Sequence, residues 1–164
     1  MKALVVYESM FGNTAEIARA VADGLATRYD VTLAEVREMP SADSADLLVV
    51  GAPTHAFSLS RPATRADAAR QGEIRAGAAA VGVREYLDRS PRLDGLAVTA
   101  FDTRADKPMT GSAARKAMRR LRRLGCRPVA PVESFRVIGM TGPLATGELG
   151  RALRWAQSIA ADVR

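Results

Sequence analysis

The feature that most constrains this chain is its alternation of short apolar runs with longer segments of helical period. The first run, Ala3 to Tyr7, is followed by a helical pattern from about Thr14 to Thr27, with Ile17, Val21 and Leu25 at fourfold spacing on one face. Val31 to Val36 alternates apolar and polar residues, as a strand with one less buried face does. Leu47 to Val50 is continuously apolar, the pattern of a central strand, and is closed by Gly51-Ala52-Pro53. Thr54 to Ala80 is longer than an ordinary βα connection. Within it Pro62 suits the first turn of a short helix through about Ala69. A third helix is expected over Val81 to Leu87, and a fourth strand over Leu96 to Phe101. Ser112 to Leu124 is the clearest helix, with Ala113, Ala114, Ala117, Met118, Leu121 and Leu124 as its apolar stripe and Gly125 as its stop. Pro128 to Val137 reads as a fifth strand whose prolines place it at an edge, and a last helix runs from about Gly147 to Asp162.

Five βα units without a hairpin signal imply one α/β domain over residues 1–164, with a parallel sheet, right-handed crossovers and helices on both faces. Two doubly wound strand orders are common at this length, and periodicity does not choose between them. In either, ligands bind beyond the carboxyl ends of the strands. The loops to inspect are therefore Glu8 to Thr14, Gly51 to Pro62 and Asp102 to Gly111.

Composition removes several classes of function. Hydrophobic residues at 48% and charged residues at 26% describe a soluble globular domain. The opening apolar run is too short for a signal peptide. No stretch approaches the roughly 18 apolar residues of a membrane span, so a cytoplasmic protein is expected. A single cysteine, Cys126, excludes an intramolecular disulfide. One histidine and one distant cysteine make no zinc site and no nucleophilic triad.

Strand one leads into Ser9-Met10-Phe11-Gly12-Asn13-Thr14, with a helix starting at once. The loop holds no lysine or arginine. An anion here would be held by backbone N–H groups at the helix start, by the Ser9 and Thr14 hydroxyls and by the Asn13 amide, while Gly12 allows close approach. The same residues also suit a plain helix cap. The dinucleotide pattern G-x-G-x-x-G and the pattern G-x-x-x-x-G-K-[ST] are both absent.

Ser9-Met10-Phe11-Gly12-Asn13-Thr14 resembles the phosphate loop of flavodoxins. Gly51-Ala52-Pro53-Thr54-His55 resembles that family's second flavin loop, and Ala100-Phe101-Asp102-Thr103 falls where its third lies. The resemblance spans essentially the whole chain. It implies a flavodoxin-like three-layer sandwich around a five-stranded parallel sheet of order 2-1-3-4-5, with FMN as cofactor. Carried onto this sequence, it makes Ser9, Met10, Phe11, Gly12, Asn13, Thr14, Pro53, Thr54, His55, Ala56, Phe57, Phe101, Asp102, Thr103 and Arg104 the expected cofactor contacts. The function it implies is electron transfer. The alternatives are an FMN-dependent reductase of a quinone or other small acceptor, and a binding module of this fold without flavin.

The chain departs from the family in three ways. Flavodoxins usually sandwich the flavin ring between aromatics, yet Trp155 lies in the last helix. Only Phe57 and Phe101 stand near the flavin loops, each readable as a ring contact or as a packing anchor. The second loop, Pro53-Thr54-His55-Ala56-Phe57, lacks the glycine whose peptide flips on reduction in many flavodoxins. The charge also has the opposite sign. The chain carries +6 overall. Between Arg104 and Arg123 eight basic residues and one acidic residue give a local +7, leaving −1 for the rest. Arg115, Lys116, Arg119, Arg120, Arg122 and Arg123 form a basic helix face, readable as a solvated surface or as a dock for an acidic redox partner. Nucleic acid is disfavoured by the lack of interleaved aromatics.

Overall fold

A computed structural model describes residues 1–162. The strands are β1 (Lys2–Tyr7), β2 (Asp30–Glu35), β3 (Leu47–Pro53), β4 (Ala97–Ala105), β5 (Arg127–Pro128) and β6 (Glu133–Val137). The helices are α1 (Asn13–Leu25), α2 (Pro62–Gln71), α3 (Val83–Arg89), α4 (Ala113–Arg123) and α5 (Glu148–Ala161). All strand pairings in the sheet are parallel, in the order β2-β1-β3-β4, with β5 and β6 both beside β4. The expected fifth strand is thus one edge position in two pieces. Pro131, which has no N–H to donate, falls in the gap. The Val129 N–H donates to the Val98 carbonyl at 2.9 Å to carry the pairing toward the break.

Burial follows from the apolar patterns. β1 and β3 are buried along almost their whole length, as central parallel strands must be. Side chains on one sheet face join α1 and α5 around Val5, Ile17, Val49 and Ala156. Those on the other join α3 and α4 around Val50, Leu87, Ala114 and Leu121. Among the described residues no helix is long and apolar enough to cross a membrane.

Several boundaries differ from expectation: α1 ends at Leu25 instead of Thr27, and β3 runs on through Pro53 instead of stopping at Val50. The third helix begins at Val83, two residues late. β4 continues four residues past Phe101. Its polar end, Asp102-Thr103-Arg104-Ala105, does not read as strand by itself. It is held by register with β6, from Phe101 opposite Glu133 to Ala105 opposite Val137. That extension carries Thr103 and Arg104 to the carboxyl end of the sheet, where the loops meet.

Candidate functional site

The carboxyl ends of β1, β3 and β4 open into a cleft of about 290 Å³. At one end lies the loop from β1 to α1. Gly12 caps α1 at φ 100°, ψ −12°, with open space where a side chain would stand, so it is the backbone turn that calls for glycine. The Gly12 N–H donates to Ser9 Oγ at 3.1 Å. Among the described residues, the amides of Met10, Phe11, Asn13, Thr14 and Ala15 have no protein acceptor. Ser9 Oγ accepts from Gly12 and keeps its own proton to donate. Thr14 Oγ1 and Thr103 Oγ1 share one hydrogen bond of 2.7 Å, so one of their two protons is spare. The Asn13 side-chain amide donates to the Thr141 carbonyl at 3.0 Å, tying the helix start to the loop after β6.

The second loop is a tight turn. His55 and Ser58 exchange two backbone hydrogen bonds, of 2.8 and 2.9 Å. The residues between them, Ala56 (φ 45°) and Phe57 (φ 69°), both lie in the left-handed region. This geometry suits a type I′ turn, where asparagine and glycine are preferred. Each non-glycine residue there costs on the order of 1 kcal/mol. The turn is held from below. The Thr64 hydroxyl accepts from the Arg61 N–H at 2.8 Å, donates to the Arg61 carbonyl at 3.1 Å and meets His55 Nδ1 at 3.2 Å. That set is satisfied in full with the His55 proton on Nδ1. Burial, and then the charge of Arg65, pull the His55 pKa down to about 4, so the ring is neutral at pH 7.

The third contribution comes from β4. Arg104 reaches along the cleft wall and donates to the Gly111 carbonyl at 2.7 Å, while its buried Nε–H has no acceptor among the described residues.

The family profile described as Flavodoxin matches residues 5–133. The chain belongs to the flavodoxin family. The oxidised flavodoxin 1 of Bacillus cereus superposes with a TM-score of 0.72 at 16% identity, covering all of both chains. Flavodoxin 2 of the same organism gives 0.71 at 21% identity over 99% of this chain and 100% of that one. The flavodoxin of Streptococcus pneumoniae TIGR4 gives 0.71 at 20% identity with the same coverage. No curated protein matches this chain.

Of the fifteen contacts expected for a flavodoxin, the cleft is lined by Ser9, Met10, Phe11, Asn13, Thr14, Pro53, Thr54, His55, Ala56, Thr103 and Arg104. Gly12 stands behind them as the cap. Two expectations are corrected. Phe101 is fully buried in the core and is no ring contact. Its ring packs edge-on to Phe135 and Trp155, each 6.1 Å away, and covers Gly51, whose Cβ would fall 2.1 Å from the Phe101 ring. Asp102 is also buried, and it braces α4 instead of a ligand: its Oδ2 accepts from Ser112 Oγ at 2.5 Å and from the Ala114 N–H at 3.1 Å. Phe57 projects outward, 63% exposed, beside the cleft and not in its lining.

Sequence reasoning missed two walls. Thr64, Asp67, Ala68 and Gln71 of α2 close one side, and Val137, Gly139 and Met140 close another. It also missed what anchors α2. Arg65 is 1% exposed, donates to Ser60 Oγ at 2.8 Å and to the Ala79 carbonyl at 3.2 Å, and pairs with Glu85. Glu8, equally buried, accepts from Ser60 Oγ at 2.5 Å and from the Val83 N–H at 2.8 Å; burial pushes its pKa up. The one available signal was the glutamate closing an otherwise apolar strand.

Proposed function

We propose that this flavodoxin binds FMN in the cleft and carries electrons for a partner. The observation that supports it is the set of unpaired donors after β1: five peptide amides, the Ser9 hydroxyl and one proton of the Thr14–Thr103 pair. The β1–α1 loop that carries most of them holds no lysine or arginine, and the one basic side chain lining the cleft, besides the neutral His55, is Arg104 of β4. A helix start alone offers an anion only ~0.3–1 kcal/mol through its dipole. Each hydrogen bond to a charged oxygen adds ~1.5–3 kcal/mol. The donor ring therefore dominates, and a phosphate group is what it suits.

FMN, when bound, supplies one- and two-electron chemistry. The residues of this chain bind and tune it. Met10, Pro53, Thr54, His55 and Ala56 bound the space beyond the phosphate loop. His55 is neutral and adds no charge. The Arg104 guanidinium in the wall favours negative charge in the cleft, while the Asp67 carboxylate of the α2 wall is paired with Arg70. A pair ~6 Å apart at an effective dielectric of ~20 gains up to ~3 kcal/mol. At roughly 40 mV per kcal/mol for one electron, the flavin potential should be less negative than in an acidic flavodoxin.

The test is the visible spectrum of the purified protein with and without added FMN, followed by titration of variants. Ser9→Ala or Thr14→Ala should weaken FMN about ten- to a hundredfold. Unchanged affinity in both would move the site elsewhere. Rapid turnover of a quinone with a chemical reductant would make the protein a reductase instead of a carrier.

A further inference from the structure

Helix α4 is the only described α-helix whose charged residues all share one sign. α1 holds Glu16, Arg19 and Asp23, α2 pairs Arg65 and Arg70 with Asp67, α3 mixes Arg84 and Arg89 with Glu85 and Asp88, and α5 sets Glu148 against Arg151 and Arg154. α4 carries Arg115, Lys116, Arg119, Arg120, Arg122 and Arg123 and no acid. Arg120 pairs with Asp88, but the other five are exposed and have no ion pair among the described residues.

Ordinary helix physics accounts for only part of this. Arg120, Arg122 and Arg123 lie in the last turn, where the helix dipole favours cations. Arg115 and Lys116 lie in the first turn, where it disfavours them, and an acidic residue there would be more stable. The charge runs on past the helix. Arg84, whose guanidinium is held by the Ser60 and Leu59 carbonyls at 3.1 and 2.8 Å, feels the charges of Arg120 and Arg61, with Asp88 and Glu85 acting on it in the opposite sense.

The face is also placed next to the cleft. The Ala113 N–H donates to Thr54 Oγ1 at 3.1 Å, and Phe57 of the second loop bridges to Gly111 just before the helix. The basic stripe from Arg115 to Arg123 thus starts at the cleft and runs ~12 Å down the flank. None of the exposed large hydrophobic side chains lies on α4, unlike a helix that enters a bilayer. No aromatic interleaves its cations, unlike a single-strand nucleic-acid platform.

We propose that this face docks an acidic redox protein and holds that partner's redox group against the cleft mouth. The redox character of the partner rests on the function proposed above; the docking by charge does not.

A small acidic [2Fe–2S] ferredoxin is a suitable probe, titrated calorimetrically into both the FMN-loaded and the flavin-free protein. The triple variant Arg115→Glu, Lys116→Glu, Arg119→Glu reverses three exposed charges, and at positions 115 and 116 the glutamates stand in the first turn, where the helix dipole favours them, so it should fold. Binding should fall at least about tenfold in that variant, and by a similar factor between about 50 and about 300 mM salt, with FMN affinity unchanged. Equal ferredoxin binding by the triple variant overturns the proposal. So does tighter binding of a short DNA duplex or of phosphatidylserine vesicles than of ferredoxin at equal salt. Charge-dependent ferredoxin binding by a protein that refuses FMN would support the docking face and remove the redox reading.

Discussion

Two helices start at the carboxyl end of the same sheet, and their first turns are treated in opposite ways. At α4 the first three amides are all taken. Ala113 donates to Thr54 Oγ1, Ala114 to Asp102 Oδ2 and Arg115 to Ser112 Oγ, at 3.1, 3.1 and 3.2 Å. At α1 the first three amides, of Asn13, Thr14 and Ala15, have no protein acceptor among the described residues, and the nearby hydroxyls keep protons to give. Both starts carry the same backbone partial charge. The difference lies in the side chains, which close one and leave the other open. A helix start becomes a ligand site when the chain withholds its own acceptors.

The sharpest way to break this comparison is to uncap α4. Asp102→Ala leaves the Ser112 hydroxyl and the Ala114 N–H without their acceptor, at a cost of about 3 kcal/mol. For a domain of this size that lowers the melting temperature by about 6–12 °C. FMN affinity of the folded variant should stay within about threefold of wild type, because α4 holds no phosphate. Calorimetry with parallel FMN titration checks both. A collapse of FMN affinity with unchanged melting would exchange the roles of the two helices.

A smaller effect probes the far end of the cleft by pH. The folded-state pKa of His55, about 4, lies below the ordinary value of 6.5. Its contribution to stability is therefore complete above pH 6.5 and is lost as pH falls toward 4, because the unfolded chain takes up the proton first. Discounted for partial exposure, the loss is about 2 kcal/mol. Denaturant unfolding of His55→Asn should lack this component, so the two proteins' stability curves should converge or cross as pH falls from 6.5 to 4. Parallel curves would place the His55 ring in solvent.

The smallest effect concerns the strained turn. Ala56→Asn with Phe57→Gly supplies the residues that two left-handed positions prefer, and should raise stability by about 1 kcal/mol in urea unfolding. A loss of stability would mean that Phe57 packs more than its exposure indicates.

Most of the architecture was legible because period and polarity report burial. The continuous apolar run Leu47 to Val50 lies in a central strand, and the half-polar stretch from Val31 to Glu35 in an edge one. The polar end of β4 was not legible. It owes its conformation to pairing with β6, a contact made by residues some thirty positions away. The first loop was readable since its function rests on the local backbone. The directions of the Phe101 and Asp102 side chains were not legible, because a position beside the third loop says nothing of which way a side chain points. Gly51 held the missing information for Phe101, since a glycine inside a buried strand marks the close approach of a neighbouring group. The α2 wall depends on Arg65 and Glu8 meeting through Ser60, which no local pattern announces.

The central claim is that the open start of α1 grips a phosphate, and comparing two flavins tests it without any mutation. Titrating flavin-free protein with FMN and with riboflavin, which lacks the phosphate, isolates that group's contribution. At least two charge-assisted hydrogen bonds predict that FMN binds about a hundredfold more tightly or better. Equal affinity for the two would contradict the account.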